Sequence, residues 1–347
     1  MIQRVPYTGA GYLDVGELTP HVQPFTWIWG GRGIGKTFGF LEYVRYKKPQ
    51  KFLLIRRTQT QIDLLSKPMY NPFKAVDAAH GGCTIVQKDK LAGVFYNGIR
   101  QEDGSYCPSG SPVGYALALS TIHNVRGIDL SDVEVIIYDE FIPERHERPI
   151  RNEYGAFLNA VETVARNREL QGRPPVQFIG LTNANSLGNP YFIGLGVIRR
   201  VDRMLQTGTE IWEDPARGLM LINITGSPIS QAKSDTALYR LAGDGEYTAM
   251  SLGNEFSGDV CSRQGSCRLS ELRPLVHVGE VCIYEHKHSR DYYCTDHVSG
   301  SPPYYRPEDT DLRRFRRDFG WLWIEYMDNN IIFQDVMCEI LLRKYLT

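Results

Sequence analysis

Gly30-Gly31-Arg32-Gly33-Ile34-Gly35-Lys36-Thr37 fits G-x-x-x-x-G-K-[ST], and its reading decides what the neighbouring chain has to be. Glycines at 30, 33 and 35 let the backbone turn tightly and bring its N–H groups onto phosphate oxygens. In that pattern Lys36 reaches the β- and γ-phosphates of ATP, and the Thr37 hydroxyl holds Mg²⁺. A helix starting at Thr37 adds its positive end to the cradle. A short pattern also occurs by chance, so the flanks carry the weight. Upstream, Phe25-Thr26-Trp27-Ile28-Trp29 reads as a buried strand. Downstream, Phe38, Leu41 and Val44 make a helical apolar stripe that Pro49 closes. Strand, glycine loop and helix stand in the order that phosphate binding needs.

Length and composition bound the rest. At 347 residues two domains are expected, and 42% hydrophobic content suffices for sizeable cores. The net charge of −1 means that nucleic acid, if bound, is held by a local patch or a ring of copies. Seven cysteines without a C-x-x-C pair argue for a reducing compartment and against a disulfide framework. No apolar run approaches the ~18 residues of a membrane span, and the N-terminus lacks the order of a signal peptide. A soluble intracellular protein without a membrane partner is expected.

The second chemical stretch is Val133-Glu134-Val135-Ile136-Ile137-Tyr138-Asp139-Glu140, an apolar strand ending in adjacent carboxylates. Asp139 at the tip holds the Mg²⁺ shell, and Glu140 is the general base for the attacking water. Further strands are expected at 51–57, 116–120 and 176–182. With 25–29 and 133–138 they make a five-stranded parallel core with helical crossovers, an α/β fold. Residues 1–24 read as an arm over the first strand that contacts the adenine. Residues 58–67 read as a helix, 84–98 as a hairpin turning near Asp89-Lys90, and 104–112 as a loop.

Three polar features keep two readings each at this level. Arg56-Arg57 ends a strand where ligands sit, or is a solvated strand end. Arg166-Asn167-Arg168 closes a helix over 152–170. It suits the helix dipole, or it offers an arginine finger to a neighbour's ATP. Asn183 ends the strand over 176–182 as a sensor of water or γ-phosphate, or is an ordinary turn residue.

From about residue 200 the character changes. Residues 217–256, rich in Gly, Ser and Asp, read as a linker after a nucleotide-binding domain over 1–216. Residues 257–347 read as a smaller α+β domain. Its strands lie within 275–298, and its C-terminal helix has Ile331, Ile332, Val336, Ile340 and Leu341 as apolar face. Cys282, His286, His288, Cys294 and His297 fit no compact zinc pattern. Arg313-Arg314-Phe315-Arg316-Arg317 is a phosphate-contacting patch or a solvated, salt-bridged face.

The combination resembles the genome-packaging ATPases of small tailed phages, the phi-29 type. The glycine loop, Ile55-Arg56-Arg57, Tyr138-Asp139-Glu140-Phe141-Ile142, Arg166-Asn167-Arg168-Glu169, Asn183-Ala184 with Asn189-Pro190-Tyr191-Phe192, and Gly245-Glu246-Tyr247 with Met250-Ser251-Leu252 carry the resemblance. It implies an ASCE-type P-loop ATPase domain, a helical linker and an RNase H-like domain without nuclease activity. It implies five copies in a ring at the portal vertex of a procapsid, in the host cytoplasm, pushing double-stranded DNA inward. A structural RNA is a further partner in some relatives. It implies Lys36 and Thr37 on ATP and Mg²⁺, Asp139 on Mg²⁺, Glu140 as base, Arg166 as a finger acting in trans, and Arg32 on nucleotide or on subunit coupling. The DNA grip is expected in the loop from His123 to Gly127, with Arg126 as the contact. The rival readings are a terminase large subunit with a working nuclease, a P-loop kinase or NTPase acting as a monomer, and a non-catalytic nucleotide-binding module.

Overall fold

The computed structural model describes residues 2–125, 129–144, 147–256 and 263–347. The chain forms two units, Met1–Gly194 with Met204–Ser257, and Leu195–Arg203 with Gly258–Thr347.

Runs such as FLLIR, VIIYD and LMLINI are apolar almost throughout, which suits strands covered on both faces. In chain order the strands of the first unit are Phe25–Gly30 (β1), Phe52–Arg56 (β2), Thr84–Asp89 (β3), Ala92–Arg100 (β4), Tyr106–Ala118 (β5), Val135–Asp139 (β6), Gln177–Thr182 (β7), Ile211–Asp214 (β8) and Leu219–Ile224 (β9). They form one sheet in the order β3-β4-β5-β2-β6-β7-β1-β9-β8. From β5 to β9 every neighbour pair is parallel, while β3, β4 and β8 join antiparallel at the two edges. The fold class is therefore mixed α/β with a large, mostly parallel sheet. The five expected strands lie together in its parallel block.

One strand, β7, stands between β1 and β6. Parallel strands leave the sheet at the same edge, so the glycine loop after β1 and the carboxylates after β6 emerge roughly 10 Å apart, two strand spacings. Helix Lys36–Glu42 packs Phe40 and Leu41 into the core with Ile28, Ile137 and Ile222. On the other face Trp27, Phe141, Phe157, Phe178 and Tyr191 form a cluster of ring contacts.

Four expectations are corrected. Residues 106–112 are not loop. They extend β5 along β4, and Pro108 takes a ladder position opposite Gly98. The stretch 217–256 is not a linker, because β9 is paired with β1 inside the first sheet and short helices follow it within the same unit. Its Gly and Ser content hid the apolar run Leu219-Met220-Leu221-Ile222. The helix expected over 152–170 runs Glu153–Ala165 and stops where Arg166 takes a φ of +44°. Ile331 and Ile332 lie in a strand, and the last helix is Val336–Leu346.

The second unit holds Arg263–Gln264 (β10), Leu272–Val278 (β11), Val281–His286 (β12), Tyr292–Thr295 (β13), Tyr304–Tyr305 (β14) and Ile331–Phe333 (β15), in the order β10-β15-β13-β12-β11-β14. Strands β11, β12 and β13 form an antiparallel meander, and β15 returns parallel to β13. Its core joins Val276, Ile283, Phe333 and Leu342 with Phe315 of helix Asp309–Phe319. Phe315 therefore turns inward. Around it Arg316 donates to the Tyr345 carbonyl, and Arg314 and Arg317 pair with Asp311 and Asp318. No described helix is long and apolar enough to cross a membrane.

Candidate nucleotide site

The glycine loop takes the shape its glycines permit. Gly33 and Gly35 lie at φ +68° and +91°, in the left-handed region that a side chain disfavours. Lys36 opens the helix and is buried. Its Nζ donates to the carbonyls of Gly30 and Gly31, both at 2.8 Å, and to Asn183 Oδ1 at 3.2 Å. Burial pulls the Lys36 pKa down to about 7, against the upward pull of Asp139, while Lys233 and Arg32 lower it further. A phosphate anion would oppose that depression by favouring the ammonium.

Thr37 Oγ1 donates to Asp139 Oδ1 at 2.9 Å. A hydroxyl and a carboxylate oxygen side by side form the hard-oxygen donor set that Mg²⁺ takes beside phosphate, so these residues fit that ion. Arg56 closes the other side, with Nη2 at 2.8 Å from Asp139 Oδ2 and Nη1 at 2.8 Å from Glu140 Oε2. Glu140 follows β6 at φ +59° and is exposed at the cleft. Partial desolvation raises its carboxyl above the ordinary range, and Arg56 draws it back.

The two arginines at the end of β2 part company, since successive side chains leave a strand on opposite faces. Arg57 is buried and grips both carboxylate oxygens of Glu153, at 2.8 and 3.0 Å, and Glu147 at 2.8 Å. It is a structural ion pair, and only Arg56 belongs to the site.

The cleft over the loop has a volume of about 840 Å³, within the range of small-molecule sites. The N-terminal arm forms one wall. Leu13 N donates to the Ile34 carbonyl at 3.0 Å, and Tyr12 and Asp14 line the cleft together with Glu42 and Lys47. Arg32 lines it too, with its Nη2 2.6 Å from Glu144 Oε1.

Lys36, Thr37, Asp139, Glu140 and Asn183 are thus brought together. Arg166 is not. Its Nη1 lies 3.7 Å from Asp129, and nearby Arg168 Nη1 donates to the Val133 carbonyl ahead of β6. That is the opposite end of the strand that carries Asp139. His123 is exposed on the turn Leu119–Val125, beside a separate pocket of about 280 Å³ lined by Arg151 and Asn159. Arg126 lies outside the described residues.

Sequence reasoning named Ser251 only as part of a resemblance and gave neither it nor Lys233 a place at the loop. Lys233 Nζ donates to the Arg32 carbonyl at 2.7 Å, and Arg32 N donates to the Ser251 carbonyl at 2.9 Å. No local pattern marks either residue as belonging to a loop some 200 positions earlier.

A sequence profile of the Podovirus DNA encapsidation protein (Gp16) matches residues 12–264. The chain belongs to that family. The matched span runs from the N-terminal arm through the glycine loop and the Asp139-Glu140 pair. The chain is 31% identical over 235 residues to the DNA packaging protein of Bacillus phage phi29, covering 66% of this chain and 61% of that protein. It is 30% identical over 244 residues to the DNA packaging protein of Bacillus phage B103, covering 66% and 63%. The aligned part thus spans about three fifths of the length of these curated relatives. Among solved structures it is similar to the bacteriophage Phi-29 viral genome packaging motor assembly, with a TM-score of 0.66 and 17% identity over 97% of this chain and 99% of that one. It is also similar to the Phi-28 gp11 DNA packaging motor, with a TM-score of 0.61 and 18% identity over 97% and 98%. At such identities the likeness concerns the fold.

Proposed function

We propose that this chain is an ATP-hydrolysing motor that drives double-stranded DNA into a viral procapsid. The observation that carries the reading is the Thr37–Asp139 hydrogen bond beneath the glycine loop, with Glu140 next in the chain, in a member of the encapsidation family. The N-terminal arm, with Tyr12, receives the adenosine end of ATP. The N–H groups of Gly33 to Thr37 and the Lys36 ammonium bind its phosphates. Thr37 and Asp139 would hold Mg²⁺, which would supply positive charge to the phosphate oxygens. Glu140 leaves Arg56 to take the proton of the attacking water, and Asn183 positions that water or senses the γ-phosphate. Arg166 lies away from its own cleft, so a cation at the transition state comes from the Arg166 of a second copy. Hydrolysis in one copy is thereby tied to its neighbour's position.

In this reading the first unit is the ASCE-type ATPase domain, and five copies ring the portal vertex of a procapsid in the host cytoplasm. The loop from His123 to Gly127 meets DNA phosphates, and a structural RNA joins the assembly as in some relatives. The second unit is an RNase H-like domain without nuclease activity. The pairing of Asp296 and Asp335 with the single guanidinium of Arg199 supports its silence, because a nuclease needs such carboxylates for metal. Incubating plasmid with the chain and Mn²⁺ tests that part, and cleavage overturns it.

Glu140→Gln tests the whole. Nucleotide binding is retained, while DNA-stimulated hydrolysis falls by at least about a hundredfold, as loss of a general base gives. Full turnover in Glu140→Gln would overturn the reading in favour of a loop that binds nucleotide for assembly alone.

A further inference from the structure

Four glycines stand in the loop ahead of Lys36, and two of them, Gly31 and Gly33, also abut a neighbouring segment. A Cβ on Gly31 would collide with the Ser251 carbonyl, and a Cβ on Gly33 would collide with Lys233 Nζ. The segment that follows β9 therefore presses on the outer side of the loop. It comprises the short helices Pro228–Lys233, Ala237–Ala242 and Glu246–Ser251. It grips the loop twice, through Lys233 Nζ to the Arg32 carbonyl and through Arg32 N to the Ser251 carbonyl. It grips the N-terminal arm as well, where Ser227 Oγ donates to the Gly11 carbonyl at 3.1 Å.

We infer that Lys233 is a positioning residue of the nucleotide site, holding the glycine loop from its outer face and tying the segment Pro228–Ser251 to nucleotide occupancy. The inference rests on the nucleotide-binding reading of the cleft. Two observations carry it. Lys233 is half-buried with its ammonium on the peptide between Arg32 and Gly33, the unit that must turn as phosphates draw the following N–H groups inward. The seam beneath the segment is packed but incompletely hydrogen-bonded. Thr248 Oγ1, Ser251 Oγ, Asn223 Nδ2 and Asn254 Oδ1 are buried without partners, while Asn254 Nδ2 donates to Asn223 Oδ1. Buried polar atoms left in that state cost stability. Coupling of this kind is reciprocal: what nucleotide does to the segment, the segment does to nucleotide affinity.

The test uses the full chain with Lys233→Ala, Lys233→Gln and Lys233→Arg, a fluorescent ATP analogue, steady-state ATPase and hydrogen exchange of residues 228–251. ATP raises the protection of that segment in the wild type. Lys233→Ala weakens binding and raises KM by about tenfold, the loss of one charge-assisted hydrogen bond, with kcat falling less than KM rises. It also abolishes the ATP-dependent protection, and Lys233→Arg restores both. Lys233→Gln, close in size and uncharged, gives the same loss as Ala if the latter fails to fold. Wild-type affinity and protection in the neutral variants overturn the inference, as does a wild-type segment whose exchange ignores ATP. A wild-type chain that binds no nucleotide overturns the proposed function as well, which separates the two failures.

Discussion

Arg56 Nη1 lies 2.8 Å from Glu140 Oε2, so the residue proposed as base is held by a cation from the neighbouring strand. The same guanidinium occupies Asp139 Oδ2. Arg56 therefore competes with a divalent cation for one carboxylate while it restrains the other. In Arg56→Ala the Mg²⁺ concentration that half-saturates nucleotide binding falls several-fold, on the order of one charge-assisted contact. Turnover drops about tenfold, because Glu140 loses its orientation. Mg²⁺ titrations of binding and of hydrolysis read the two effects separately, and an unchanged Mg²⁺ requirement would refute the competition.

Lys36 Nζ spends its three donors on the Gly30 and Gly31 carbonyls and on Asn183 Oδ1, so its ammonium is already aimed at the loop. Binding of phosphate exchanges one or more of these contacts for a charge-assisted one. Lys36→Ala weakens ATP binding at least about a hundredfold. Equilibrium binding of a labelled nucleotide checks this, and wild-type affinity would remove the loop from the site.

Arg57 and Glu153 are a buried bidentate pair away from the chemistry. Removing one partner leaves an uncompensated buried charge. Arg57→Ala or Glu153→Ala should each lower unfolding stability by about 3–5 kcal/mol, while the apolar double variant Arg57→Met with Glu153→Leu loses less than either. Chemical denaturation of the four proteins decides whether the pair behaves this way.

Arg166 lies at the end of its helix remote from its own cleft, which motivates a mixed-subunit measurement. Glu140→Gln subunits keep Arg166, and Arg166→Ala subunits keep Glu140. Neither population alone turns over at more than about a hundredth of the wild-type rate, and the mixture recovers activity. A mixture as silent as its parts excludes a finger supplied between copies.

Arg199 joins Asp296 and Asp335, each at 2.6 Å, within the second unit. Its hydrogen bond holds the Asp296 carboxyl below the usual range. A depressed folded-state pKa gives stability that is present above the unfolded value and is lost as pH falls through the folded one. The groups are substantially exposed, so Arg199→Ala costs only about 0.5–1 kcal/mol at pH 7. That difference from wild type shrinks below about pH 4, where the unfolded carboxylate protonates. Denaturation midpoints at the two pH values test it, and a constant difference would assign the effect to packing.

Much of the site could be read before any coordinates. The glycine loop, the Asp139-Glu140 tip and Asn183 each end or follow a short apolar run, and strands of one parallel block leave the sheet on one edge. What could not be read was which of two adjacent arginines faces that edge, since a pattern of period two does not say which face is the core. Nor could the place of β9 be read, because Gly, Ser and Asp downstream dominated a window that held six buried strand residues. The edge pairing of Tyr106 to Pro112 with β4 depends on a partner strand, and a loop composition does not exclude it.

The sequence by itself determined the glycine loop, the carboxylate pair and the parallel α/β core, because each is encoded by backbone preferences and side-chain periods that act over a few residues. Only the tertiary structure decided that Arg57 is buried, that Arg56 bridges both carboxylates, and that Lys233 and Ser251 hold the loop from behind. Those relations join positions about 80 to 220 residues apart. Packing sets them, through which faces are buried and which backbones touch, and no local pattern carries that information.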